Sequence, residues 1–254
     1  MGEFCEVNKI GRLTEVTINR PEVMNALHPP ANFELAEVFD EFAADPDQWV
    51  AIITGAGDRA FSAGNDLKYQ ASGGQMGGPA SGFAGLTARF DNVKPVIAAV
   101  NGLAMGGGFE IALCCDILLV SETAQLGLPE GRLGLSPGGG GTQRLVRAVG
   151  KYAASDLMLA GWRMSGQRAF ELGIAAEVTD DLDTAVLQRA RGCLKIAPLA
   201  QAEMKRLMRE GFDAPIETAK SYEQEVLFRL YSTADGQEGI DAFLEKRAPE
   251  FRGV

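Results

Sequence analysis

Two glutamates and a run of glycines are the residues of this chain best suited to chemistry. Gly106-Gly107-Gly108 stands just ahead of a predicted helix and just after an apolar segment with a turn. Glycine lets a ligand approach the backbone, and the free N–H groups at a helix start stabilise negative charge, so this arrangement suits an oxyanion. It suits close packing equally well, and the run alone does not decide. Glu110 falls in the first turn of that helix, among Phe109, Ile111, Ala112 and Leu113. Glu130 stands twenty residues on, in the turn Leu128-Pro129-Glu130-Gly131. A carboxyl in an apolar site can give or take a proton near neutral pH. Singly, Glu110 reads as well as a helix-dipole acid and Glu130 as a solvated turn residue. With 34 acids in the chain, spacing alone does not single the pair out.

Other chemistries find little support. His28 is the only histidine, so a Ser/His/Asp triad or a Cys/His dyad would have to be built on it, and no serine stands in a G-x-S-x-G elbow. Cys5, Cys114, Cys115 and Cys193 form no C-x-x-C pair and have no histidine cluster to complete a metal site, which predicts reduced, structural thiols. Gly55-Ala56-Gly57-Asp58-Arg59-Ala60 loosely matches a dinucleotide fingerprint, but Phe61-Ser62-Ala63-Gly64 opens no convincing helix. The run Gly138 to Gly141 lacks the lysine of a Walker loop and reads better as a tight turn before a helix.

These residues need elements to position them. Leu13, Val16 and Ile18 predict a strand entering the turn at Arg20-Pro21, and residues 31 to 43 carry apolar groups at helical spacing. Val50 to Thr54, Val96 to Val100 and Ile117 to Val120 read as buried strands; Phe109 to Cys115 and Thr142 onward read as helices. Strands alternating with helices argue an α/β core. Ser72 to Gly85, rich in Gly, Ser and Ala, reads as a mobile loop too poor in large apolar groups to be core. From about Thr184 the pattern turns wholly helical, as a helical appendage. The chain has 254 residues, 46% hydrophobic, enough to bury a sizeable core. Its formal charge of −10 argues against nucleic acid as a partner. No apolar run approaches the ~20 residues that span a bilayer, and the N-terminus shows no signal pattern, so a cytoplasmic protein is expected.

The motifs together carry a resemblance. Asn19-Arg20-Pro21 with Asn25-Ala26-Leu27, Ala60 to Leu67, Lys94 to Gly102, Gly106-Gly107-Gly108-Phe109-Glu110, and Pro129-Glu130 followed by Gly138 to Leu145 resemble, in order, the crotonase or enoyl-CoA hydratase/isomerase superfamily over nearly the full length. Within it, Ser81 to Thr87 and the tail Phe243 to Arg247 look most like the carnitinyl-CoA dehydratase branch.

The resemblance implies a spiral of β-β-α turns with two sheets in residues 1–195, binding acyl-CoA, and a helical region in residues 196–254 that builds homotrimers or homohexamers. It implies an acyl-CoA thioester substrate, with coenzyme A as part of the substrate and no separate cofactor. By motif position the backbone N–H groups of Asn65 and Gly107 form the oxyanion hole. Glu130 moves the proton at the α-carbon, and Glu110 activates or orients water. Ala26, Ala63, Gly64, Asp66, Leu67 and Gly106 line the CoA path; Lys68 approaches a phosphate, and Lys246 the nucleotide end. Two retained glutamates imply an enoyl-CoA hydratase, with carnitinyl-CoA dehydratase or an enoyl-CoA isomerase as alternatives. Asn65 and Arg132 hint at a short or polar acyl group, and Phe83, Phe90 and Tyr69 are the aromatic candidates near it.

Overall fold

The computed structural model describes residues 2–254. Along the chain come β1 (Cys5–Ile10), β2 (Leu13–Ile18), α1 (Pro29–Ala44), β3 (Val50–Gly55), β4 (Ala60–Ser62), α2 (Leu67–Ala71), β5 (Val96–Val100), β6 (Leu103–Met105), α3 (Gly107–Cys114), β7 (Ile117–Ser121), β8 (Gln125–Gly127) and α4 (Gly141–Leu159). β9 (Met164–Ser165), α5 (Gly166–Glu171), β10 (Glu177–Thr179), α6 (Leu182–Cys193), α7 (Pro198–Gly211), α8 (Ile216–Tyr231) and α9 (Ala234–Glu245) complete it.

From β3 to β8 consecutive strands alternate between two sheets, ordered β1-β2-β3-β5-β7-β10 and β4-β6-β8-β9. Within each sheet β3, β5 and β7, and likewise β4, β6 and β8, run parallel. Each turn of the chain thus adds one strand to each sheet, which is the β-β-α spiral.

The larger sheet is buried on both faces, which is why β3, β5 and β7 read as continuous apolar runs. Ala51, Ile53, Val96, Ala98 and Val100 share a core with Leu35, Phe39 and Phe42 of α1 and with Phe109 of α3. The alternate residues Val50, Ile52, Ile97, Ala99 and Leu119 face a second core closed by Leu182, Ala185, Val186 and Ala190 of α6. The helical pattern from Thr184 is therefore not all appendage, because α6 is a layer of the core. In α7 no residue is buried; in α8 only Val226 is, and in α9 Asp235 and Ala242.

The segment read as a mobile loop is also corrected at its end. Ala84 is fully buried and donates its N–H to Asn32 Oδ1 at 2.7 Å, and Gly85 packs so closely that a Cβ there would lie 2.4 Å from Ala36 Cα. Small residues let this stretch dock on α1, so composition poor in large side chains marked close approach and not mobility. Among the described residues no helix is long and apolar enough to cross a membrane.

Candidate active site

Three neighbouring parallel strands of the smaller sheet end at one place. β4 runs out into Ala63-Gly64-Asn65, β6 into Gly106-Gly107, and β8 into Leu128-Pro129-Glu130. Ligands of parallel sheets collect at such carboxyl ends, where the chain turns back and its amides are free. Asn65, Gly107 and Glu130, and Glu110 one turn into α3, all line a single cavity of about 1360 Å³.

The glycines make the approach of these segments possible. Gly64 has φ +86, and a Cβ on it would lie 2.6 Å from Met105 O and 2.9 Å from Gly107 N. A Cβ on Gly108 would lie 2.0 Å from Ser62 O. Backbone packing accounts for Gly108 and Gly64, while Gly107, packed under the Phe83 ring, opens α3 with an N–H that has no intrahelical acceptor. Among the described residues the Asn65 amide also has no backbone acceptor. Two neighbouring N–H groups without a backbone acceptor, on closely packed backbone, suit an anion.

The two carboxyls are held differently. Glu110 is buried, and its Oε1 accepts from Gly139 N at 2.7 Å and Gly141 N at 2.8 Å. The run from Gly138 to Gly141 does make a tight turn, with Gly140 at φ +93 at the start of α4, but that turn is also the cradle of Glu110. The sequence offered no signal for this beyond the glycines themselves. Glu130 opens a short 3-10 turn over Gly106, where a Cβ would lie 3.1 Å from its Oε1. Its Oε2 is buried without a hydrogen-bond partner among the described residues. Burial lifts the Glu130 carboxyl above its ordinary value, and the charge of Glu110 adds to the rise. One carboxyl gripped by two amides and another with a free, buried oxygen can divide acceptor and proton-carrier duties.

A scan against family models matches residues 9–254 to the family described as enoyl-CoA hydratase/isomerase. The chain belongs to that family. Its curated relatives include a carnitinyl-CoA dehydratase from Salmonella typhi, 39% identical over 100% of both chains. Another from Salmonella arizonae is 40% identical over the same coverage. Among solved structures, an enoyl-CoA hydratase from Mycobacterium marinum superposes with TM-score 0.93 at 34% identity, covering 100% of both chains. One from Mycobacterium tuberculosis superposes with TM-score 0.94 at 32% identity, also covering 100% of both. The crotonase fold expected from the motifs is the fold observed.

Within this crotonase fold the remaining expected site residues divide. Asp66 caps α2 through the Tyr69 amide and pairs with Arg20 at 3.0 Å, and Arg20 also donates to the Ala26 carbonyl. Burial opposes ionisation of Asp66, yet the Tyr69 amide and Arg20 hold its carboxyl below the usual range. Ala26 and Asp66 thus belong to a brace behind Ala63, Gly64 and Asn65, and Arg20, quoted only as part of a motif, is its keystone. Leu67 and Lys68 are exposed on α2, and Lys246 is exposed at the left-handed end of α9; none of the three lines the cavity. Arg132 is exposed beside Gly161, also outside it. Phe83 and Phe90 do line it, Phe83 directly over Gly107. Tyr69 instead packs edge-on against His28, whose ring also meets Phe4.

Cys114 and Cys115 lie on the cavity wall as free thiols. Burial pushes the Cys114 thiol up to about 12, so it is no nucleophile at neutral pH. The wall opposite the core comes from α7, through Lys205, Met208, Arg209 and Phe212, with Lys205 tied to Asp116 at 2.8 Å.

Proposed function

We propose that this protein hydrates a short 2-enoyl-CoA thioester, and dehydrates the 3-hydroxyacyl-CoA in reverse, using Glu110 and Glu130 as its proton-handling pair. The observation that carries this reading is the meeting of two unsatisfied amides and two differently held carboxyls in one cavity. The thioester oxygen sits between the Asn65 and Gly107 N–H groups. As water oxygen bonds to the β-carbon, the π electrons move toward the thioester and charge collects on that oxygen. Preorganised donors there are worth on the order of 3 kcal/mol each. Glu110 accepts a proton from the attacking water, and Glu130 delivers its own to the α-carbon, leaving a neutral hydroxyacyl thioester. Exchange of one proton between the carboxyls and solvent resets the pair.

Coenzyme A enters as part of the substrate along the 63–67 segment, with Lys68 and Lys246 as phosphate contacts, the latter from its own or a neighbouring subunit. The assembly is a homotrimer or a pair of trimers. Support comes from apolar groups exposed on one chain, among them Phe228, Phe243 and Leu244 at 73%, 83% and 71%. These exceed what a soluble monomer ordinarily leaves in contact with water.

A second reading is dehydration of carnitinyl-CoA, favoured by relatives of that name at 39% identity over the whole chain. It uses the same proton transfers on an acyl group bearing a quaternary ammonium. Phe83 and Phe90 offer aromatic faces, whereas Arg144 and Arg209 put positive charge on the same walls, where Arg147 and Lys205 are paired with Asp213 and Asp116. Turnover of crotonyl-CoA and crotonobetainyl-CoA, each with product identification, separates the readings. Measurable hydration of crotonyl-CoA is expected; a far faster rate on crotonobetainyl-CoA would make the second reading the function.

A further inference from the structure

The turn that grips Glu110 contains Gly138 through Gly141, the backbone type with the most freedom to lose. Its downstream end is fixed by α4, whose first amides return to Gly140 O. Upstream, residues 131–136 are exposed, and their hydrogen bonds run only among themselves and to Pro129 and Glu130, apart from Ser136 to Pro137 O. Residue 139 is therefore held on its two sides by side chains, Arg144 at its carbonyl and Glu110 at its N–H. Arg144 Nη1 donates to Gly139 O at 2.7 Å, while the N–H of the same residue 139 points to Glu110 Oε1. The other arm of the guanidinium, Nη2, donates to Thr87 O at 2.8 Å. Thr87 in turn accepts the Phe83 N–H through its Oγ1 at 2.8 Å, and the Phe83 ring lies over Gly107. Among the described residues no carboxylate lies within salt-bridge distance of Arg144, so its fork serves two backbone segments and no ion pair.

We infer that Arg144 is a positioning residue for the reaction. It fixes the Gly139 carbonyl, which lies in the chain between the two amides that grip Glu110, those of Gly139 and Gly141, and ties that turn to the 83–87 segment forming the wall of the acyl cavity. A lysine ammonium concentrates its three donors at one nitrogen and lacks the rigid planar fork whose two separated arms hold both carbonyls in fixed geometry. The inference rests on the reading that Glu110 handles a proton in hydration.

The test is steady-state hydration of crotonyl-CoA by wild type, E110Q, R144K and E110Q/R144K, with folding checked by circular dichroism. R144K is expected to lose 10- to 100-fold in kcat with KM within about threefold, because the carboxyl is misplaced and the thioester site is not. The double variant is expected to fall below E110Q by far less than R144K falls below wild type, because Arg144 acts chiefly through Glu110. R144A supplies a second readout: millimolar guanidinium should restore at least tenfold of its lost kcat and leave E110Q unchanged. Wild-type kcat in R144K overturns the inference. So does a loss confined to KM, losses that multiply in the double variant, no rescue of R144A, or failure of both Arg144 variants to fold. Wild-type turnover in E110Q would instead overturn the underlying reading, which keeps the two failures apart.

Discussion

Around the carboxyl ends of β4, β6 and β8 the groups suited to chemistry are set by close backbone packing and by hydrogen bonds from distant segments, whereas α7 to α9 bury few side chains and are laced mainly by surface ion pairs. At the strand ends Glu110 is gripped by two amides, Asp66 by an amide and a guanidinium, and Gly64 sits against the Gly107 amide with no room for a methyl group. In the helices, Ile216, Phe228, Phe243 and Leu244 stand in the open, and α7 buries no residue at all. The strand ends are built to tolerate no displacement, as positioning for catalysis requires. The helices leave apolar side chains in contact with water on a single chain, and these are the faces on which the proposed assembly would form.

The contrast is most open to attack at the carboxyls. Glu110→Gln and Glu130→Gln should each retain the fold and thioester binding while lowering kcat by at least ~10²-fold, the range for a general acid or base. A wild-type rate in either variant removes that residue from the chemistry. Glycine at the strand ends comes next. Gly64→Ala forces a side chain into a left-handed conformation and against two backbone atoms, so turnover should fall more than about tenfold and Tm by several degrees. Gly131→Ala, with nothing within 4 Å of its Cβ, is the matched control and should change neither. Equal effects from the two would mean that the strand ends are not as tightly set as their geometry says.

For the helices, Phe228→Glu combined with Phe243→Glu should shift sedimentation from trimer or hexamer toward monomer. Because both side chains are exposed in the single chain, the far-ultraviolet spectrum should stay that of wild type. A wild-type protein that sediments as a stable monomer at micromolar concentration would show that the helical faces need no cover.

A smaller effect follows from the raised Glu130 carboxyl. Its folded value lies above its unfolded one, so the folded chain keeps a proton that the unfolded chain has released. The stability this gives is fully present below the unfolded value and is lost as pH rises through the folded value. Glu130→Gln carries no such loss, so its Tm should exceed that of wild type by roughly 2 °C near pH 8, with the gap closing below about pH 4. Wild-type hydration should decline as pH rises through the same value, because the proton for the α-carbon is then gone. An unchanged pH profile in a still active Glu130→Gln would assign that decline to another group. The smallest effects belong to the exposed cations. Lys68→Ala and Lys246→Ala should raise KM by no more than about threefold, as solvent-exposed charges contribute little each.

The long elements were legible because their signals are local. β3 and β5 are runs of apolar residues bounded by turns, and α1 repeats its apolar groups at 3.6 residues behind Pro29 and Pro30. The site's own scaffold was not. β4, β6 and β8 are three residues each, too short for any alternation to register, and they exist because each neighbour supplies hydrogen bonds from about twenty to forty residues away. The same limit hid the clamp on Glu110, since Gly139 and Gly141 look like any turn before a helix.

By itself the sequence determined the chemical inventory: a glycine run that frees an amide, two glutamates in apolar settings, an acidic surface and too few nucleophile partners for covalent hydrolysis. It also determined, through motif order, the family to which these residues belong. Only the tertiary structure decided that Asn65, Gly107 and Glu130 leave three adjacent strands at one cavity, that Asp66 braces the backbone, and that Lys68 and Lys246 stand clear of the cavity in one chain. The division has one cause. Residue type and local spacing set what a group can do, while its partners, its burial and hence its proton affinity come from segments distant in sequence that only folding brings together.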